Sequence, residues 1–94
     1  MHFKAVCLSR NVEGRGSLWS VNDQQCFYVE QHRSPEPWHL MRQQRSFCTV
    51  HECYTDGTPT GKNIDMATSD HGEAIRMMLA SVHRNANVEV SYNV

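Results

Sequence analysis

Asp70-His71-Gly72-Glu73-Ala74-Ile75-Arg76-Met77-Met78-Leu79-Ala80-Ser81-Val82-His83-Arg84 is the stretch on which the fold turns. Ile75, Met78, Leu79 and Val82 recur at i, i+3, i+4 and i+7, the spacing of one helical stripe, and Ala74 and Met77 widen it. Asp70 and Glu73 have capping-box spacing: the first acid takes a free amide of the opening turn and the second returns to the cap. Asn85 to Asn87 supply a stop, and Arg84 is a cation near the negative end of the helix dipole. The pattern predicts one helix over about residues 70–84.

Beyond the stop the period changes from 3.6 to 2. Val88, Val90, Tyr92 and Val94 alternate with Glu89, Ser91 and Asn93, which predicts a half-buried final strand over 88–94, laid back antiparallel into a sheet. Working toward the N-terminus, Phe3 to Leu8, Leu18 to Val21, Cys26 to His32 and Arg45 to Tyr54 read as strands from their β-branched and aromatic content. Trp38 to Gln43 reads as a weaker strand, and Lys62 to Thr68 alternates Ile64 and Met66 with polar neighbours. Between them lie breakers. Arg10 to Ser17 carries two glycines, Asn22-Asp23 tolerates left-handed backbone, and both Ser34-Pro35-Glu36-Pro37 and Thr55-Asp56-Gly57-Thr58-Pro59 hold prolines.

The expected architecture is therefore α+β: a mostly antiparallel sheet of about five strands, one helix on one face, and a final strand, all in a single domain over 1–94. Phe27, Val29, Val50, Val90 and Tyr92 should meet the helix stripe. A chain of this length buries roughly 60–65% of its unfolded surface. That commits most large apolar side chains to the core and leaves few for an apolar substrate pocket.

Nine basic residues against ten acidic ones leave a net charge of −1. The long-range attraction that draws duplex binders to phosphate is absent. No run of 18 apolar residues marks a membrane helix. Met1 to Cys7 has no apolar export region, so the chain is expected in the cytoplasm, with Cys7, Cys26, Cys48 and Cys53 as thiols. An oxidising compartment would instead allow two disulfides, in three connectivities.

Cys48, His51 and Cys53 are the first metal candidates, because zinc favours thiolate and imidazole. On a strand, Cys48 faces away from His51 and Cys53, and no knuckle turn lies between them. No metal or other cofactor is expected. The six histidines are scattered along the chain. His51 and Cys53 lack the glycine-rich oxyanion turn that thiol catalysis needs, and Gly14 and Gly16 lack the third glycine of a phosphate loop. Catalysis is not expected.

What remains is an interaction surface. Trp38, His39, Met41, Arg42 and Arg45 follow the double-proline breaker, and Trp, Met and Arg are enriched in protein interfaces. The sequence points to a small protein-binding module, a stoichiometric inhibitor or adaptor of a larger protein such as phages and mobile elements carry. A homodimer through a sheet edge is compatible with it. One alternative is a nucleic-acid binder using Arg10, Arg15, Arg33, Arg42 and Arg45 on a sheet face; another is a small zinc module.

Overall fold

A computed structural model describes residues 1–12, 15–34 and 45–92; for residues 11, 12, 33, 34 and 45 it describes the backbone only. The elements are β1 (His2–Val12), β2 (Gly16–Val21), β3 (Gln25–Ser34), β4 (Arg45–Cys53), β5 (Pro59–Met66), α1 (His71–Val82) and β6 (Asn87–Tyr92). They form one six-stranded sheet in the order β5-β4-β3-β2-β1-β6, with α1 packed on one face. The expected α+β class and mostly antiparallel sheet are observed, with six strands among the described residues where about five were read; the weaker strand expected over Trp38 to Gln43 lies outside the described residues. No helix among the described residues is long and apolar enough to cross a membrane.

Turn chemistry sets the meander. Asn22 and Asp23 both take positive φ, 54° and 56°, and the Gln24 N–H closes on the Val21 carbonyl. That left-handed pair matches the twist of the strands it joins, so β2 and β3 pair in an unbroken register from Gly16–Glu30 to Val21–Gln25. The β4–β5 link is tighter than the long loop expected. The Tyr54 N–H donates to the Thr58 carbonyl and Gly57 adopts φ 90°, so pairing resumes at Pro59 rather than Lys62.

The last strand corrects the expected direction: β6 runs parallel to β1, with Phe3 opposite Val88 and Ala5 opposite Val90. Topology requires it. Four antiparallel steps leave β5 running the same way as β1, and α1 then carries the chain back to the starting end. Whatever follows the helix runs with β5, hence with β1.

Asp70 caps α1 as its spacing predicts, its carboxylate accepting the Glu73 N–H at 2.9 Å. The second half of the capping box does not form, because the Glu73 carboxylate takes the Arg76 guanidinium at 2.7 Å instead. The helix ends at Val82, ahead of Arg84, and Asn85 at φ 51° makes the stop. Ala74, Ile75, Met78 and Leu79 face the sheet, meeting Phe3, Ala5, Trp19, Val21, Phe27, Val29 and Val50. Val82 departs from the stripe. It stays exposed and lines a small apolar groove with Ile64 and Met78. Tyr92 is also outside the core, for a reason given below.

Behind the sheet, the face turned away from α1 carries Leu18, Tyr28, Glu30, His32, Phe47, Thr49 and His51. Gly16 has a packing role there. A Cβ on it would overlap the Tyr28 ring, which lies across it from the neighbouring strand. A Gly16→Ala variant should therefore lose about 1–3 kcal/mol by displacing that ring. Urea unfolding against a surface control such as Ala80→Ser would check this.

Candidate functional site

The described part of the expected interaction surface is slight. Trp38, His39, Met41 and Arg42 lie outside the described residues, and Arg45 is described only as a backbone position, paired with Ser34 at the start of β4. The sequence-level zinc candidates do not converge. Cys48 is fully buried in the core beneath α1, whereas His51 lies on the other face beside Tyr28. Among the described residues, no group of three His, Cys, Asp or Glu side chains is placed to hold a metal ion.

A different site emerges at the end of the sheet where α1 begins. A cleft of about 380 Å³ is lined by Arg10, Arg15, Gln31, His71 and Tyr92, with Cys7 and Ser17 at its base and Ser69 and Asp70 at its rim. Arg10 arrives there through a β-bulge. Cys7 pairs with Trp19 but Ser9 pairs with Leu18, so Leu8 is an extra residue. One extra residue reverses which face every later side chain takes. Arg10, which strict alternation would send to the far face with Lys4 and Val6, instead stands opposite Ser17 on the helix side.

Aromatic packing holds it there. The Arg10 guanidinium lies 4.1 Å above the Tyr92 ring centroid, and that ring meets Trp19 edge-on at 5.3 Å. This is why Tyr92 departs from the expected core: it is 44% exposed, with one face given to the arginine. Gly72 allows the arrangement, since a Cβ there would stand 2.9 Å from the Tyr92 hydroxyl. Arg15 sits in the β1–β2 turn, which is tied to β3 by the Gln31 N–H donating to the Arg15 carbonyl at 3.2 Å.

Beneath the arginines, the cleft floor is a hydrogen-bonded chain. The Trp19 indole N–H donates to Ser17 Oγ at 2.7 Å, and Ser17 Oγ lies 2.6 Å from His71 Nδ1. An indole can only donate. In the arrangement that uses every donor, the Ser17 hydroxyl gives its proton to a bare Nδ1. Burial holds the His71 pKa below its ordinary value; nearby Asp70 opposes this and Arg10 adds to it. The imidazole is thus neutral at pH 7.

A serine beside a neutral histidine resembles a nucleophile with its base. Here Ser17 is only 2% exposed, and its oxygen already accepts one bond and makes another. The chain ties the first residue of α1 to the centre of the sheet. Cys7 offers no better nucleophile, since burial raises its pKa, with Arg10 opposing.

The charge balance is the distinguishing feature of the cleft. Among the described residues two guanidiniums face one carboxylate, that of Asp70, and Asp70 is occupied as the cap. Among the described residues neither Arg10 nor Arg15 has a carboxylate partner within ion-pair distance. The opening of a 12-residue helix adds its positive dipole end. Arrayed in this way, the groups can take a carboxylate or a phosphate.

The floor predicts a pH dependence. His71 is neutral in the fold, and its ordinary pKa is 6.5. Below that value the unfolded chain gains a proton that the fold resists, so the contribution is complete above about 6.5 and is lost as pH falls through the lowered folded value. The melting temperature should drop on acidification from pH 7 to 5. The drop should shrink in a His71→Gln variant, and equal slopes in the two proteins would contradict the assignment.

Comparison with family models, curated proteins and solved structures returned no match.

Proposed function

We propose that this chain is a non-catalytic, cytoplasmic binding module that seats an acidic group of a protein partner between Arg10 and Arg15, as a stoichiometric inhibitor or adaptor. One observation carries the proposal: two exposed arginines, without a described carboxylate partner, line one cleft at the start of α1, and Arg10 is set on the Tyr92 ring, which itself packs against Trp19. Arginine suits this task because its planar fork meets a carboxylate through two parallel hydrogen bonds.

Two further features favour a protein over nucleic acid. The net charge is −1, and the described far face of the sheet presents Glu30 and Asp65 among its histidines and aromatic rings. The link between β3 and β4 also starts and returns at the cleft end of the sheet, where Ser34 pairs with Arg45. Trp38, His39, Met41 and Arg42 fall between Ser34 and Arg45 in the sequence and remain, in this reading, candidate contacts for the same partner.

The test is a tagged pull-down from nuclease-treated lysate of the source cell, with the wild type beside an Arg10→Glu/Arg15→Glu variant of matched thermal stability. The proposal requires one protein recovered at a fixed ratio by the wild type and lost by the variant. Equal recovery by both would reject the cleft as anchor. Recovery of nucleic acid alone, from lysate left undigested, would put the nucleic-acid alternative first.

A further inference from the structure

At the opposite end of the β3–β4 hairpin from the cleft, Cys26 and Cys53 stand directly across from one another in the antiparallel register. Their neighbours in the pairing are Phe27–Glu52, Tyr28–His51 and onward without interruption, so the opposition is fixed by the ladder. Directly opposed antiparallel residues have Cα atoms about 4.5–5.5 Å apart. A disulfide spans about 4.4–6.8 Å between Cα atoms. The Cys53 thiol donates to the His51 carbonyl of its own strand at 3.7 Å, and each of the two thiols perturbs the ionisation of the other.

We propose that Cys26 and Cys53 form a dithiol modification site that reacts with a small-molecule disulfide, such as glutathione disulfide, and closes into a cross-strand bond. The roles follow from access. Cys26 is half-buried and meets the reagent, whereas Cys53 is 7% exposed and can act only from inside. The Cys26 thiolate attacks one sulfur of the reagent, making a Cys26–glutathione mixed disulfide and releasing one glutathione thiolate, which takes up a proton. The Cys53 thiolate then attacks the Cys26 sulfur, forming the Cys26–Cys53 bond and expelling the second glutathione. Two protein thiols are oxidised and one reagent disulfide is reduced, with each displaced thiolate taking one of the two thiol protons.

Cys7 and Cys48 are internal controls. Both are fully buried in the core and neither is paired with a cysteine in the sheet register. Burial pushes the Cys53 thiol up to about 11, with the neighbouring Cys26 adding to the rise, and burial also raises Cys26. Closure is therefore slow at neutral pH and accelerates toward alkaline pH, where thiolate accumulates.

The experiment incubates the folded full chain with glutathione disulfide, quenches with acid, and counts thiols after denaturation, with peptide mapping under non-reducing conditions. The expected result is a fall from the four free thiols to two, with no glutathione retained and one cross-link joining the Cys26 and Cys53 peptides. A Cys53→Ser variant should hold one glutathione on Cys26. If that variant does not fold, Cys26→Ser, altered at the more accessible position, should keep all three of its remaining thiols. Four thiols persisting in the wild type, a glutathione adduct that never resolves, or a cross-link involving Cys7 or Cys48 would each overturn the proposal.

Discussion

Trp19→Ala is expected to destabilise the fold by about 3–5 kcal/mol, the range for removing a buried tryptophan. Trp19 has no exposed surface and sits among Val21, Val29, Ile75 and Leu79, where strand and helix side chains close on each other. Alanine removes the ring from this packing and leaves a cavity that the flanking strands cannot close without breaking register. It also deletes the indole N–H that anchors Ser17 Oγ, and the edge that steadies the Tyr92 ring under Arg10. A domain of this size has roughly 5–15 kcal/mol in total. The variant should therefore unfold at much lower urea concentration and lose part of its near-ultraviolet circular dichroism. Trp19→Phe keeps most of the volume but loses the hydrogen bond, and should cost about 1–2 kcal/mol. A loss below about 1 kcal/mol for the alanine variant would mean the ring is not central to the core.

Reversing both cleft arginines should weaken capture of an acidic group by at least about 100-fold. Each hydrogen-bonded charge pair is worth about 1.5–3 kcal/mol, and the two substitutions replace attraction with repulsion at both positions. Stability should barely change, because both side chains are exposed and Arg10 gives up only its stacking on Tyr92, about 0.5–1 kcal/mol. Calorimetric titration of the partner into the wild type and into Arg10→Glu/Arg15→Glu measures the difference. An Arg10→Lys/Arg15→Lys pair separates charge from geometry: if the bound group is gripped bidentately, lysine retains the charge and still loses affinity. Affinity unchanged by charge reversal, with the fold intact, would exclude the cleft.

The fold was largely legible because local rules agreed with one another. The Asp70 cap, the stripe through Ile75 and Leu79, the left-handed turn at Asn22-Asp23 and the alternation after Asn87 each read correctly from neighbours in sequence. Strand order was not legible, and with it went the direction of β6, which depends on how many reversals precede the helix. Trp19 and Val21 share one side of a short strand whose sequence does not say which side is inside.

The site was hidden for a sharper reason. Arg10 reaches the helix face only because Leu8 bulges out of β1, and Leu8 has neither a glycine nor a proline beside it to announce an irregularity. Ser17, His71 and Tyr92 are far apart in the chain and meet only through the sheet order and the crossover. Of the residues that composition favoured for binding, Trp38, His39, Met41 and Arg42 lie outside the described residues, and Arg45 opens β4 at the cleft end of the sheet.

The most direct test of the cleft follows the side-chain Nε–Hε resonances of Arg10 and Arg15 and the His71 ring in a nitrogen-15 NMR titration. Inorganic phosphate and a short glutamate-rich peptide serve as separate probes. The anion cleft predicts saturable shifts concentrated on those three residues and on the first-turn amides of α1, with one dissociation constant for all of them, and loss of the shifts in Arg10→Glu/Arg15→Glu. Shifts that grow linearly without saturating, or that saturate on the far face around Tyr28, His32 and His51 while Arg10 and Arg15 stay silent, would contradict it.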